Sequence, residues 1–252
     1  MKISSFNPPP PSRLEVWKMF DRIAPRYDLL NRLLSFQQDI RWRNKVARFL
    51  KPSPNQQILD LATGTGDQLI ALFSKSKRVQ MAVGLDMAEK MLEKGRKKVQ
   101  QRNLGAQIAF QRGDIASIPF EDNRFDAVTL SFGIRNATHV NLTLKEIYRV
   151  LKPEGRALIL EFSLPENLIV RSFYLFYLRY FLPKIGSVLS GDAQAYRYLN
   201  QTIETFPYGT AFCNILSKAG FTEVKAHPWT LGVATLYQAD KPSTDSHVRN
   251  RD

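Results

Sequence analysis

A run of small and acidic residues, Asp60 to Asp67 (DLATGTGD), has the composition of a nucleotide-binding loop. Glycine at positions 64 and 66 lets a ligand approach the backbone, and the helix predicted to follow offers free N–H groups. The third glycine of the dinucleotide pattern G-x-G-x-x-G is replaced by Leu69, which disfavours a pyrophosphate ligand. The P-loop pattern does not match either. The loop therefore predicts a pocket for a nucleoside-type ligand.

Two further acidic residues come at the ends of the next predicted strands. Asp86 lies 20 residues after Gly66, the spacing at which a carboxylate accepts hydrogen bonds from both hydroxyls of a ribose. Asp114 would accept a hydrogen bond from an adenine amino group or an amino-acid amine. Taken singly, the glycines would serve a turn and Asp86 would cap a helix. Together at successive strand ends, these residues favour a site for an adenosine ligand.

The elements that position these residues alternate along the chain. Short apolar runs rich in β-branched residues predict buried parallel strands, and amphipathic stretches between them predict helices on both faces of an α/β sheet. The strands are expected at about 57–62, 80–85, 107–111, 126–131 and 156–162. The helices are expected at about 13–24, 40–50, 67–75, 88–102, 139–151 and 208–219.

The amino-acid composition limits the classes of protein to which this chain can belong. A chain of 252 residues with 44% hydrophobic residues predicts one domain, placed at 13–240, between an extended proline-rich arm (1–12) and a flexible tail (241–252). The net charge of +13 indicates an anionic partner: nucleic acid, a phospholipid surface or a charged substrate. A single cysteine, Cys213, and three scattered histidines exclude a disulfide framework and argue against a metal site. We expect a cytoplasmic protein, because no apolar run is long enough to span a bilayer.

The loop and the two acidic residues resemble those of class I S-adenosylmethionine-dependent methyltransferases. Other motifs resemble, more narrowly, the ubiquinone/menaquinone biosynthesis C-methyltransferase family over about residues 15–241. They are YDLLN (27–31), LS (34–35), DIRW (39–42), FGIRN (132–136), RVLKP (149–153) and AYRYL (195–199). The chain departs from the family's pattern at Leu30 and Asp39, where methionine and histidine are usual, and at Glu154 in a Lys-Pro-Gly-Gly turn. Asp39 accepts hydrogen bonds where a histidine could donate one, which affects the substrate side.

This resemblance implies the Rossmann-like class I methyltransferase fold. A mostly parallel seven-stranded sheet would carry helices on both faces, with added N-terminal helices and a helical lid or substrate insertion at 168–205. The cofactor would be S-adenosyl-L-methionine, and no metal is expected. The cofactor contacts would fall on Asp60, Gly64, Thr65, Gly66, Asp86, Asp114, Ile115 and Ser131.

The resemblance also implies a reaction, S-adenosylmethionine-dependent C-methylation of a prenylated quinol in menaquinone and/or ubiquinone biosynthesis. The catalytic candidates are Arg135, Asn136 and Tyr27. Because arginine stays protonated, we expect Arg135 to stabilise a phenolate rather than act as a base, while Tyr27 orients the ring hydroxyl. Histidine is the side chain type whose ordinary pKa lies closest to neutrality, but the place of His139 at a predicted helix start outranks a catalytic role.

Residues 168–182 (LIVRSFYLFYLRYFL) are aromatic and apolar, with Arg171 and Arg179 as their charges. This segment would form a lid helix that receives a polyprenyl tail while its arginines meet lipid phosphates. A buried helix or a homodimer contact remains an equal alternative. The basic N-terminal half would steer the protein to an anionic membrane, as a peripheral protein on the inner face.

Two other functions compete with the quinol assignment. The net positive charge and a predicted helix with Lys94, Arg96, Lys97 and Lys98 suggest an RNA methyltransferase. A methyltransferase for another small molecule is a further alternative. No RNA-binding appendage or amine-methylation motif accompanies them, so nucleic acid is not expected as a partner. A non-catalytic scaffold of quinone biosynthesis is the other alternative, although the cofactor positions are intact in the sequence.

Overall fold

A computed structural model describes residues 15–184 and 193–243 of the protein, without the side chains of 193–197. The arm predicted at 1–12 and most of the tail predicted at 241–252 lie outside the described residues. The strands are β1 (Gln56–Leu61), β2 (Val79–Asp86), β3 (Ile108–Arg112), β4 (Phe125–Ser131), β5 (Leu151–Phe162), β6 (Thr222–Trp229) and β7 (Ala234–Asp240).

The helices come in three groups along the chain. The N-terminal group is α1 (Val16–Ile23), α2 (Tyr27–Leu34) and α3 (Gln38–Val46). Three helices follow strands, α4 (Asp67–Lys75), α5 (Glu89–Gln100) and α6 (Val140–Val150). The last group is α7 (Leu168–Phe176), continued by a π-helical turn (Tyr177–Phe181), then α8 (Ala193–Thr205) and α9 (Thr210–Lys218).

The seven strands form one sheet in the order β3-β2-β1-β4-β5-β7-β6. Strands β1 to β5 pair in parallel, whereas β7 runs antiparallel to both β5 and β6. Asp60 near the end of β1 is level with Gly84 of β2 and Thr129 of β4. The carboxyl ends of the central strands therefore meet at one edge, and the predicted fold class is confirmed.

Both faces of the sheet are buried under helices. Alternate residues of each central strand enter opposite cores, as in β1, where Leu59 packs with α6 and α9 and Ile58 packs with α3, α4 and α5. The same alternation separates Val128 from Ala127 in β4. Continuous apolar runs are therefore needed in these strands, since each residue meets a core on one face or the other.

A third apolar cluster joins four helices into a unit that we call the cap, consisting of α1, α2, the helical segment 168–184 and α8. Val16, Met19 and Leu30 from the N-terminal helices pack there against residues of the other two segments, Leu178, Leu182, Tyr198 and Ile203. Because cap residues also line both cavities described below, the cap lies over the carboxyl ends of the strands.

The predicted elements agree with the structure to within a few residues, with particular exceptions. The helix expected at 67–75 is confirmed at both ends, and β5 begins at Leu151 rather than near 156. Helices α2 and α8 and strands β6 and β7 were not placed by the sequence pattern. The boundaries expected for one domain (13–240) and for the lid insertion (168–205) remain predictions.

Candidate functional site

The loop after β1 turns sharply because three of its residues have left-handed backbone conformations. Ala62, Gly64 and Gly66 have φ values of 48°, 56° and 75°. A Cβ atom on Gly66 would lie 2.7 Å from the Phe110 ring, so glycine is required there by both conformation and space. Gly66 precedes α4 directly, and the loop thus brings the backbone and the start of that helix to the sheet edge.

Asp86 closes this loop from the end of β2. Its carboxylate accepts hydrogen bonds from the backbone N–H of Gly64 at 2.8 Å and of Ala88 at 2.9 Å. Burial raises the pKa of Asp86 above its ordinary value, and these backbone hydrogen bonds oppose that rise. Each oxygen keeps a lone pair, so the carboxylate can also accept from two adjacent hydroxyls, as a ribose offers.

Asp60 has a different environment from Asp86. Its two oxygens accept hydrogen bonds from the hydroxyls of Thr63 and Thr129, both at 2.6 Å. Burial raises the pKa of Asp60 to about 6, although both threonine hydroxyls lower it. The carboxylate therefore holds the end of β1 to β4 and to the loop, and it is not part of the cavity lining.

The Thr65 side chain is also directed away from the cavity. Its hydroxyl donates to Asp28 of α2 at 2.6 Å and accepts from Lys98 Nζ at 3.0 Å, and Lys98 also pairs with Asp67. Asp28 is buried and additionally pairs with Lys94 at 3.0 Å. These contacts fasten α2 of the cap to the loop and to α5. Side-chain contact of Thr65 with a ligand in the cavity is not supported by this placement.

A cavity of about 160 Å³ lies beside the loop and has the lining expected for an adenosine ligand. Five predicted cofactor residues line it, namely Gly64, Asp86, Asp114, Ile115 and Ser131. Its apolar wall includes Trp17, Met87 and Met91. Buried Asn136 Oδ1 has no hydrogen-bond partner among the described residues and lies in the same wall. Acidic acceptors, an apolar wall and an unpartnered amide oxygen fit S-adenosylmethionine, which combines ribose, adenine and an amine.

A second, larger cavity of about 410 Å³ lies between the cap and the sheet edge. Phe20, Tyr27, Phe132 and Asn136 line both cavities. Most of its remaining wall is apolar and belongs to the cap, including Leu30, Leu34, Val170, Phe173, Tyr174, Leu178, Leu182, Leu199 and Ile203. A group bound in the larger cavity can therefore face a ligand in the smaller one across these four shared residues.

Arg135 reaches this shared wall and is paired with an acid that the sequence analysis did not single out. Its Nη1 lies 2.6 Å from Oε1 of Glu161, which is fully buried at the end of β5, and 2.8 Å from the Phe132 carbonyl oxygen. Its Cζ stands 5.3 Å from the Phe162 ring centre. The Arg135 Nε is buried and lacks a hydrogen-bond partner among the described residues.

Arg43 of α3 is a second buried arginine in the wall of the larger cavity, and sequence reasoning missed it as well. Its Cζ stands 5.2 Å from the Phe132 ring centre. A single arginine in a polar helix gives no sequence signal of burial, because such residues are usually solvated. The structure therefore places two guanidinium groups in the wall of one cavity.

Tyr27 lies between the two cavities, and its Cε1 is the nearest atom to a Cβ built on Gly64, at 3.9 Å. Burial raises the pKa of its hydroxyl, while Arg43, a hydrogen bond with Asn31 and Arg135 each lower it. Both guanidinium groups therefore act on this hydroxyl. The three predicted catalytic residues, Tyr27, Arg135 and Asn136, are brought together at this wall.

His139 lies outside both linings and directly precedes α6, which agrees with the helix-start interpretation. Within residues 15–184 and 193–243, no group of three or more His, Cys, Asp or Glu could hold a metal ion. In the same ranges, no helix is long and apolar enough to cross a membrane.

The aromatic segment predicted as a lid is only loosely buried. No residue of α7 is buried, and Phe173, which is 72% exposed, lines the larger cavity from its rim. Phe36, which is 75% exposed, also lines this cavity, and its ring centre lies 6.0 Å from that of Tyr177. Within the predicted segment 168–182, α7 has no buried residue, whereas Leu178 and Leu182 beyond it are buried in the cap cluster, so the buried-helix alternative holds only for the last part of the segment. Arg179, expected at lipid phosphates, pairs with Glu204.

Comparison with known proteins gives a consistent family. The model of the ubiE/COQ5 methyltransferase family matches residues 11–241. A demethylmenaquinone methyltransferase of Bacteroides fragilis is 44% identical over 90% of this chain and 92% of its own length. A ubiquinone/menaquinone biosynthesis C-methyltransferase UbiE of Geotalea daltonii is 41% identical, over 90% and 96%.

Solved structures share the fold at lower identity. The putative methyltransferase in complex with the Haloferax volcanii Trm112 activator has a TM-score of 0.63 at 18% identity, covering 88% of this chain and 97% of that one. A Thermotoga maritima S-adenosylmethionine-dependent methyltransferase has a TM-score of 0.61 at 18% identity, covering 89% and 99%. At this identity the likeness establishes the fold alone.

Proposed function

Because the chain belongs to the ubiE/COQ5 methyltransferase family, we propose that it methylates a ring carbon of a prenylated quinol, a demethylmenaquinol or a 2-methoxy-6-polyprenyl-1,4-benzoquinol. As a member of that family it is an S-adenosylmethionine-dependent methyltransferase. The observation that carries the proposal is the pair of cavities. A nucleoside-type cavity and a larger, mostly apolar cavity share the wall formed by Phe20, Tyr27, Phe132 and Asn136.

The residues of the smaller cavity suit the cofactor. Asp86 would accept the ribose hydroxyls, Asp114 the adenine or amine N–H groups, and Asn136 would present its free amide oxygen. When bound, S-adenosylmethionine supplies an electrophilic methyl group on a positively charged sulfur. The lining of the larger cavity suits the substrate, because a prenyl tail requires the apolar wall that the cap supplies and the quinol ring requires polar groups at one end.

The ring end of the substrate would lie against Tyr27, Arg135 and Asn136. A quinol ring carbon becomes a strong nucleophile when a neighbouring hydroxyl is ionised or strongly hydrogen-bonded. Tyr27 is placed to orient that hydroxyl, and the Arg135 guanidinium is fixed by Glu161 and the Phe132 carbonyl, so its direction is set before the substrate binds. These groups hold geometry and charge, and the surrounding apolar side chains exclude water.

Methyl transfer to a quinol is the direct test. The protein is incubated with methyl-labelled S-adenosylmethionine and, in separate reactions, with chemically reduced demethylmenaquinone or methoxy-polyprenyl benzoquinol. We expect the label on a ring carbon of the quinol, detected by mass spectrometry of the extracted lipid. Labelling of one substrate assigns the ring class, and labelling of both indicates a dual-substrate enzyme. If cofactor binding is intact and neither quinol is labelled, the proposal is wrong. The leading functions are then an RNA methyltransferase and a non-catalytic scaffold.

We further propose that the rim of the larger cavity contacts an anionic membrane, from which the prenylated substrate enters beside α7 and its π-helical turn. Phe36 and Phe173 stand at the rim, and Phe176, Tyr180 and Phe181 continue the exposed aromatic surface along α7 and its π-helical turn. Monomeric proteins rarely expose so many adjacent aromatic side chains without a partner. The net charge of +13 favours an anionic surface.

Replacing Phe176 and Phe181 together with serine is expected to weaken binding to vesicles that contain phosphatidylglycerol by about tenfold or more, because two inserted rings are removed. Co-sedimentation at low and high salt measures this effect. Leu142→Ser is the matched control, since Leu142 is exposed on α6. Unchanged vesicle binding contradicts the proposal, and a change in sedimentation velocity of the protein alone would assign the surface to a homodimer.

A further inference from the structure

The guanidinium group of Arg43 is buried in the cavity wall without a counterion in direct contact. Arg43 is only 8% exposed, and its Nε is buried without a hydrogen-bond partner. Within residues 15–184 and 193–243, no carboxylate oxygen lies within 4.0 Å of this group, and its side chain makes no hydrogen bond. A buried charge without a partner is strongly unfavourable, so its presence in a cavity points to an anionic ligand.

Arg135 differs from Arg43 in this respect. Its charge is compensated by Glu161 at 2.6 Å, and both members of that pair are buried. An added anion next to Arg135 would also meet the Glu161 carboxylate, which lowers the net attraction. Of the two arginines in the wall, Arg43 therefore has no counterion in contact, although the more distant Asp60 interacts with it, and an anion in the cavity can take that contact position.

Buried Asp60 interacts electrostatically with Arg43 without forming an ion pair with it, and no titratable group of the cavity lining forms an ion pair with Arg43. Asp39 lies one helical turn earlier on α3, and its carboxylate accepts a hydrogen bond from the Ser35 hydroxyl at 2.9 Å. The remaining titratable groups in the lining are the hydroxyls of Tyr27, Tyr174, Tyr177 and Tyr198. Burial raises the pKa of Tyr27 and of Tyr174, and it raises that of Tyr177 to about 12, so these three stay neutral at pH 7.

The two arginines of the larger cavity stand over neighbouring aromatic rings. Arg43 stands over the Phe132 ring and Arg135 over the Phe162 ring, and the centres of these two rings are 4.5 Å apart. A 1,4-quinol has two oxygens on opposite sides of one ring. Two guanidinium groups in the wall of one cavity suit these two oxygens, and only Arg135 has a counterion in contact.

We propose that Arg43 binds the ring oxygen of the substrate in its ionised form and thereby generates the carbon nucleophile. This inference rests on the proposed function and names a residue to which that function assigned no role. The quinol hydroxyl loses its proton to bulk water as the ring enters the site, the oxygen remains as a phenolate against the guanidinium, and its charge is delocalised onto the ring carbon to be methylated. After the carbon–methyl bond has formed and the sulfur–methyl bond has broken, the ring carbon loses its hydrogen as a proton and the oxygen is protonated again. Arg135, held by Glu161, then positions the other oxygen.

Bound 4-methoxy-1-naphthol tests the inference without turnover, because it has one ionisable hydroxyl and its anion has a distinct absorbance. In the wild-type protein with S-adenosylhomocysteine present, we expect the probe's pKa to fall by at least about one unit, which is a tenfold preference for the anion. Arg43→Met is expected to abolish this shift and Arg43→Lys to retain part of it. Arg41→Met, an exposed position on the same helix, is the matched control and should leave the shift unchanged.

Turnover of Arg43→Met should fall about a hundredfold near neutral pH. It should recover as the pH rises, because the hydroxyl then ionises unaided. The ligand-free variant is expected to melt about 2–4 °C higher than the wild type, since a buried unpaired charge has been removed. A residue with a merely structural role would show a lower melting temperature and an unchanged pH profile.

The possible results separate the inference from the function on which it rests. If the probe binds and its pKa shift survives in both Arg43→Met and Arg43→Gln, or is lost only in Arg135→Met, the role of Arg43 is overturned while quinol methylation stands. If the wild-type protein neither binds the probe nor labels a quinol, the proposed function fails and the inference fails with it.

Discussion

Replacing Glu161 with glutamine is expected to lower the free energy of unfolding by about 3–5 kcal/mol, because Arg135 would keep its charge in a buried site without a counterion. Glu161 is fully buried and contacts Arg135 Nη1 at 2.6 Å. It also accepts a hydrogen bond from the Phe162 N–H at 2.8 Å. Urea denaturation near neutral pH measures the loss. Glu166→Gln, an exposed position on the same segment, is the control and should change stability little.

A double variant separates stability from activity. Combining Arg135→Met with Glu161→Leu removes both charges, and we expect stability within about 1–2 kcal/mol of the wild type, since buried ion pairs are replaced by apolar side chains at small net cost. Methyl transfer should nevertheless remain reduced by about two orders of magnitude or more, because the group that fixes the substrate oxygen is gone. Cofactor binding should be retained. A stable Glu161→Gln variant, or an active double variant, would contradict this account of the pair.

The Arg135–Glu161 pair also changes the interpretation of Arg135 itself. An isolated guanidinium next to a phenolate would supply a full positive charge, as the sequence analysis expected. With Glu161 at 2.6 Å, the pair has little net charge, and its main contribution is direction. This difference supports the two roles proposed above: Arg135 orients the substrate, and Arg43 attracts the anion.

Glu161 illustrates what a sequence can signal without identifying a partner. It lies in RALILEF, a run read as a buried parallel strand, and a carboxylate in such a strand must be paired or hydrogen-bonded. That signal was present, but the partner is 26 residues away on a different element. Arg43 gave no comparable signal, because its burial depends on the cap and on Phe132 rather than on its own helix.

Those strands and helices that have a local hydrophobic pattern of their own could be predicted from the sequence. Strands β1, β2, β4 and β5 were found because each enters two cores and is apolar along most of its length, and the edge strand β3 was found by its short apolar run Ile108–Phe110. Strand β6 is mostly exposed and has no such pattern, and the place of β7 between β5 and β6 depends on antiparallel pairing with distant residues. Only the family resemblance implied seven strands.

Site residues could be predicted where they follow the carboxyl end of a parallel strand. Asp86 and Asp114 reach the cavity because carboxyl ends of parallel strands meet at one edge. The orientation of Thr65 could not be predicted in this way, since it is fixed by Asp28, 37 residues earlier, and by Lys98, 33 residues later. The larger cavity is likewise formed by helices from both ends of the chain packing together, which no local pattern records.

Replacing Asp86 with alanine is expected to raise the Kd for S-adenosylmethionine by about a hundred- to a thousandfold, because two charge-assisted hydrogen bonds to ribose hydroxyls would be lost. The loop would also lose its acceptor for the Gly64 and Ala88 N–H groups. Asp86→Asn should have an intermediate effect, since the amide keeps one acceptor oxygen but no charge. Isothermal titration calorimetry measures both, with Glu93→Ala on the exposed face of α5 as control.

The pH dependence of cofactor binding distinguishes this role from simple loss of loop structure. Burial raises the pKa of Asp86, so lowering the pH protonates the carboxylate earlier than an exposed aspartate and removes an acceptor from the ribose site. Wild-type affinity should therefore weaken as the pH falls, beginning at a higher pH than an exposed aspartate would give, whereas Asp86→Asn, which has no carboxylate to protonate, should respond less. Two results would contradict a ribose contact: an Asp86→Asn protein that binds the cofactor as tightly as the wild type, or one whose affinity falls with acid to the same extent. The role of Asp86 would then be limited to accepting hydrogen bonds from the backbone N–H groups of the loop.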